Sequence, residues 1–171
     1  PHIKDFRERI RVNGNMVAKD FVINFVERTK TITENIQPSF FELTVAMAFD
    51  YFAREQVDIA VIETGLGGRL DSTNIITPEL SVITNIGWDH MNMLGNTLEL
   101  IATEKAGIIK ERISVVAGEF LPETKPVFEK IASEKNAPLI FAQEKRYVPE
   151  WKYEHHKLLV TVVTKHNNAH E

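Results

Sequence analysis

Cysteine is missing from the sequence. Its absence excludes disulfides and thiolate-bound zinc, and it fits a reducing compartment, so a cytoplasmic location is expected. No apolar run reaches the roughly 20 residues that span a bilayer. Residues 1–14 (PHIKDFRERIRVNG) are charged throughout and hold no apolar signal-like core. An excess of one charge is lacking too: 20 Lys and Arg face 24 Asp and Glu, for a net charge of −4. With no block of like charges, neither nucleic acid nor an anionic membrane is expected as a partner. There is no internal repeat and no low-complexity segment. What is present is an ordinary globular balance, 43% hydrophobic and 26% charged over 171 residues. That is enough for one domain with its own core. The start, without Met and inside an expected element, suggests a piece of a longer chain.

Period and punctuation predict the elements. A short strand is expected at 9–12, ended by Asn13-Gly14 as a turn. Val17, Phe21 and Phe25 fall four apart, with Val22 and Val26 on the neighbouring track, which predicts a helix over 17–33. The threonine-rich stretch 29–37 reads as a fraying end and loop. Ser39 with Glu42 three residues on is a capping-box pattern, opening a helix that runs to about 54 and is apolar almost all round. Such a helix is expected between layers. Residues 57–62 (VDIAVI) and 80–84 (LSVIT) are β-branched runs of the kind buried on both faces of a parallel sheet. A helix over 97–106 ended by Gly107, a strand at 114–117, a helix over 122–135 with Pro in its first turn, and a strand at 139–142 follow. Strands alternating with helices predict an α/β fold, a mostly parallel sheet flanked by helices. Residues 158–163 (LLVTVV) predict an antiparallel hairpin or small sheet, before a polar end at 164–171.

Ligands in open α/β sheets gather beyond the C-terminal ends of the strands. Glu63 stands at that place after the first run. It can hold a hard cation, or merely cap a turn. Gly65, Gly67 and Gly68 let the following loop turn sharply and bring its N–H groups to a phosphate. No GK[ST] follows, so this is not a Walker A loop. Asp89-His90 follows the second run. A neutral imidazole is a metal ligand and a neighbouring Asp can fix its tautomer, yet the pair is also common loop composition. Lys105 lies on a charge-dense helix, where a solvated face is the ordinary reading. Beside it Ala106 and Gly107 permit close packing. Asp71 and Asn74 read equally as turn residues.

The strings GLGGRLDSTNIITPELSVITNIGWDH and LGNTLELIATEKAGIIK, together with PHIKDFRERIRVNG and SFFELTVAMAF, resemble the folylpolyglutamate synthase/dihydrofolate synthase family of Mur-type ligases. The resemblance covers residues 1–120 in order and spacing; past about Lys145 it weakens. It implies a P-loop NTPase-like central ATPase domain over 1–145, incomplete at its N-terminus, with 146–171 a β-rich tail of the same domain. It implies an ATP-dependent ligase that adds L-glutamate to folate or dihydropteroate through an acyl phosphate. By the same resemblance, Glu63, His90 and Lys105 are magnesium ligands, Lys105 being carried as a carbamate. Gly65, Gly67, Gly68, Asp71 and Asn74 shape the phosphate and substrate side. The resemblance places a phosphate loop and a magnesium-ligating serine before Pro1, and an adenine- and glutamate-binding domain after the end. The 171 residues alone are therefore expected to be inactive. Trp88 stands where the family usually has a smaller aliphatic residue.

Other readings are a Mur-type amino-acid ligase of cell-wall synthesis and a non-catalytic module derived from a ligase. A metal-dependent amidohydrolase would also use His and a carbamylated Lys. That class needs a His-x-His pair, whereas His155-His156 are adjacent.

Overall fold

The computed structural model describes residues 2–88 and 90–165. Asp89 and most of the polar end at 164–171 therefore lie outside the described residues. The chain divides into two compact units, Pro1–Gly65 and Leu66–Glu171.

The first unit opens with a 3-10 turn, Phe6–Arg9, closed by a capping box between Asp5 and Glu8. Strands β1 (Arg11–Val12) and β2 (Asn15–Met16) pair antiparallel, Arg11 opposite Met16. Between them Asn13 and Gly14 both take positive φ, as a tight hairpin turn demands. Helix α1 (Lys19–Ile36) follows. It runs through the stretch expected to be a loop at 29–37. The threonines there satisfy the helix instead of breaking it: the Thr29 hydroxyl donates to the Phe25 carbonyl at 2.8 Å and the Thr33 hydroxyl to that of Lys30 at 2.9 Å. Left-handed Gln37 ends it, its N–H donating to the Thr33 carbonyl.

Helix α2 (Phe40–Glu55) starts on the expected capping box, Ser39 taking the Glu42 N–H and Glu42 the Ser39 N–H. It is not buried all round. Thr44, Val45 and Met47 are buried, while Phe40 is 61% exposed. Within this unit only one side of the helix meets apolar partners: Met47 joins Ile10, Val17 and Phe25 in a small core flanked by Phe21, Leu43 and Tyr51. An Arg28–Asp50 ion pair at 2.6 Å ties α1 to α2. Residues 57–62 do not form the expected strand. No described strand pairs with them, and Ile59 and Val61 are 84% and 91% exposed. A β-branched run makes a strand only where another strand takes its N–H and C=O groups.

The second unit begins with the glycine loop and a 3-10 turn, Ser72–Ile75. Then come β3 (Ser81–Ile83), α3 (Met91–Leu94), α4 (Leu98–Ala106), β4 (Val115–Ala117), α5 (Lys125–Glu134), β5 (Leu139–Phe141) and α6 (Ala142–Lys145). The strands form a parallel sheet in the order β3-β4-β5, with Ser81 opposite Val115 and Val115 opposite Leu139. This is the α/β fold that the sequence predicts. Two details differ. Val82 is half exposed while Ser81 and Ile83 are buried, so β3 is covered on one face only. Helix α5 starts later than 122, with Pro126 in its first turn. The core gathers Ile83, Ile101, Ala106, Val115 and Phe141 around Phe128, which is 0% exposed. The expected hairpin is present as β6 (Arg146–Glu154) and β7 (Lys157–Thr164), antiparallel with Trp151 opposite Val160, and every residue of β6 is exposed.

Candidate functional site

The expected site residues fall in both units. Glu63 and Gly65 belong to the first. Glu63 is exposed, and no hydrogen bond or ion pair ties its carboxylate to another described residue. Gly65 sits against the Phe41 ring so closely that a Cβ there would enter it. The other candidates belong to the second unit.

Two segments lock together there. The first is the loop from Gly67 to Asn74, and the second is the end of α4 with the turn after it, Glu104 to Lys110. Gly67 takes φ +67°, a left-handed conformation that favours glycine. Gly68 is buried, and a Cβ on it would stand 2.7 Å from the Lys105 carbonyl oxygen and 2.9 Å from that of Glu104. Gly107 is the matching gap on the other side, where a Cβ would run into the backbone of Arg69. Gly107 has an ordinary right-handed φ of −60°, so it is needed for space and not for its backbone angle. The glycines in both segments let two backbones touch. The contact is sealed by the Arg69 N–H donating to the Glu104 carbonyl at 2.8 Å. The Arg69 guanidinium also grips the Glu104 carboxylate, Nη2 to Oε1 at 2.9 Å and Nε to both oxygens at 3.1 and 3.2 Å.

Asp71 organises the loop from inside. Its Oδ2 accepts from the Leu66 N–H at 2.9 Å, and its Oδ1 from the Thr73 N–H at 2.9 Å and the Thr73 hydroxyl at 2.6 Å. This is an Asx turn that caps the 3-10 turn after it. Asn74 bridges the two segments, its Nδ2 donating to the Arg69 carbonyl at 3.2 Å and the Gly107 carbonyl at 3.0 Å. The Lys110 Nζ donates back to the Asn74 carbonyl at 2.8 Å.

His90 stands in left-handed conformation (φ 46°) at the start of α3 and is exposed. Leu94, at the end of that short helix, is buried and lies against Gly67. His90 is thus carried by an element that packs on the glycine loop. Trp88 just before it is 61% exposed. Lys105 is half-buried near the C-terminus of α4 and makes no side-chain hydrogen bond or ion pair among the described residues. Its neighbour Glu104 is held by Arg69.

Magnesium takes oxygen donors and keeps several waters. Glu63 supplies a carboxylate of that kind and His90 an imidazole, but among the described residues no three His, Asp or Glu side chains gather into a metal site. Sequence reasoning missed Arg69, Glu104, Lys110 and Ser81, whose hydroxyl donates to the Ile108 carbonyl at 2.9 Å. The readable trace was the matched pair of glycines, GGR in one segment and KAG in the other.

The Mur ligase middle domain family matches residues 15–170. The dihydrofolate synthase/folylpolyglutamate synthase of Bacillus subtilis (strain 168) is 48% identical over 145 residues, 81% of this chain and 34% of that protein. A solved folylpolyglutamate synthase in complex with AMPPCP and folate superposes with a TM-score of 0.88 at 34% identity, over 96% of this chain and 42% of that one. The folylpolyglutamate synthase of Thermotoga maritima superposes at 0.83 with 38% identity, over 96% of this chain and 39% of that one. The chain spans about a third of the length of the curated relatives it matches, 34% and 31% for two of them.

Proposed function

The chain belongs to the Mur ligase family, in its folylpolyglutamate synthase/dihydrofolate synthase branch, and on that premise we propose that it serves within an ATP-dependent ligase that joins L-glutamate to a folate or dihydropteroate carboxylate. The observation that carries this reading is the lock between GGRLDSTN and KAGIIK. The two strings that mark the resemblance are also the two surfaces that pack on each other.

In the proposed reaction the substrate carboxylate oxygen attacks the γ-phosphorus of ATP and ADP leaves. The glutamate amine then attacks the acyl phosphate carbon, phosphate departs, and the amine loses a proton. Catalysis of such phosphoryl transfer is mostly positioning and electrostatics. Magnesium, when bound, offsets charge on the phosphates. Glu63 and His90 would hold it, and Lys105, as a carbamate, would add an anionic oxygen. Carbamate formation joins the neutral Nζ to the carbon of CO2 and releases one proton. The glycine loop, with Asp71 and Asn74, shapes the phosphate and substrate side. Residues 1–145 act as the ATPase domain and 146–171 as its β-rich tail, in a cytoplasmic enzyme.

With ATP, magnesium, folate and glutamate, the 171-residue chain alone is expected to release no ADP. In a ligase of the relatives' full length that carries this chain, Glu63→Ala is expected to lower glutamate-dependent ADP release by on the order of 100-fold, with an unchanged circular dichroism spectrum. Full activity of that variant would sink the assignment.

A further inference from the structure

The two lysines of KAGIIK have opposite surroundings. Lys110 is tied, its ammonium donating to the Asn74 carbonyl at 2.8 Å. Lys105 is half-buried and makes no side-chain bond among the described residues. The carboxylate next to it in sequence is occupied, because Glu104 is gripped by Arg69 at 2.9 Å. The backbone around Lys105 is held as firmly as its side chain is loose. The Glu104 carbonyl takes the Arg69 N–H, the Gly107 carbonyl takes Asn74 Nδ2, and the Ile108 carbonyl takes the Ser81 hydroxyl.

Asn74 is the hub of this arrangement. A carboxamide nitrogen carries two hydrogens, and both are spent, one on the Arg69 carbonyl and one on the Gly107 carbonyl. No amide hydrogen is left to offer a phosphate. The main-chain carbonyl oxygen of Asn74 in turn receives the Lys110 ammonium. The Gly107 carbonyl, just past the end of α4, would otherwise be left open.

We propose that Asn74 and Lys110 form a clasp that fixes the turn after α4 on the glycine loop and so sets where Lys105 stands. Asn74 is then a positioning residue with its amide hydrogens turned away from ligand. Lys110 is the structural lysine of the pair, leaving Lys105 as the one available for chemistry. The clasp acts close to its target, since Gly107 follows Lys105 by two residues, about 3 Å along a helix axis. The functional meaning rests on the reading of Lys105 given above; the clasp itself does not.

The test is made on the 171-residue chain with its lysines reductively methylated with a 13C label. NMR resonances are assigned by Lys105→Arg and Lys110→Arg. The Lys105 resonance is expected to lie away from that of exposed Lys130. Asn74→Ala and Lys110→Met should each move it to the Lys130 position, whereas Lys110→Arg, which restores a donor to the Asn74 carbonyl, should leave it in place. A merely structural bond would lower the melting temperature in all variants and leave the Lys105 resonance unmoved, and that result overturns the proposal. If Asn74→Ala does not fold, the contrast between Lys110→Met and Lys110→Arg decides. In the unmethylated chain, 13C-bicarbonate with no carbamate signal at Lys105 would count against the chemical reading of Lys105 and leave the clasp intact.

Discussion

Two apolar runs of this chain carry the same β-branched signal and come to different ends. Strand β3 pairs in parallel with β4 and buries Ser81 and Ile83. Residues 57–62 pair with no described strand and leave Ile59 and Val61 almost wholly exposed. Their compositions do not separate them. What differs is what the surrounding chain provides. β3 has β4 beside it, and the β4 N–H groups and carbonyls are in turn shared with β5. Beneath lie Phe128 and Ile101, both fully buried. A strand is a relation between segments, so a run with strong propensity and no neighbour remains extended chain.

That contrast can be tested by truncating each side of it. Phe128→Ala removes the centre of the second unit's core and is expected to cost about 3–5 kcal/mol, measured by urea denaturation. Ile59→Thr or Val61→Thr should change stability by less than about 0.5 kcal/mol. A cost at Val61 comparable with that at Phe128 would show that 57–62 is paired after all.

The next effect belongs to the lock between loop and turn. Gly107→Ala puts a methyl group into the Arg69 backbone, and overpacking of this kind costs about 1–3 kcal/mol. The Arg69–Glu104 pair on the rim is half exposed on the Arg side, so Arg69→Ala should cost about 1 kcal/mol or less. Equal losses from the two changes, read as shifts in urea midpoint, would mean that charge and not close packing holds the segments together.

The smallest effect is a pH dependence confined to the first unit. The Arg7 side chain, and after it the Arg7 N–H, pull the Asp5 carboxyl from 3.8 to about 2. The Ile3 N–H, with those of Asp5 and Lys4, lowers Glu8. The Ser39 N–H, and then its hydroxyl, lower Glu42. In each case the unfolded chain binds protons more readily than the folded one. The stabilisation is therefore present above the ordinary carboxylate range and fades as pH falls from about 4 towards 2. Circular dichroism across that window should show the first unit losing helix. Ser39→Ala should cost about 1 kcal/mol at neutral pH and remove the Glu42 share of the acid dependence.

Much of the fold could be read in advance because its signals are local. Ser39 with Glu42 marks a helix start through bonds that the two residues make with each other. Asn13-Gly14 marks a hairpin through its own backbone angles. The strands at 81–83, 115–117 and 139–141 were legible from β-branched runs spaced by helices. The length of α1 was not, because whether Thr29 and Thr33 end a helix or bond back into it depends on a rotamer that sequence does not specify. The candidate site was legible as residue types: a carboxylate, an imidazole, a lysine and a run of glycines. That the glycines of two distant strings face each other was not legible. Neither string needs the other until the backbones meet.

By itself the sequence determined an α/β chain of the Mur ligase type and the residues worth suspecting, because periodicity, caps and motif spacing are written along one dimension. Tertiary structure alone decided that residues 57–62 pair with no described strand. It alone decided that Gly68 and Gly107 make room for each other's segments, and that of two lysines five residues apart Lys110 is tied and Lys105, among the described residues, is not. Those outcomes depend on which group lies within hydrogen-bonding distance of which, a fact about space that only the packed chain contains.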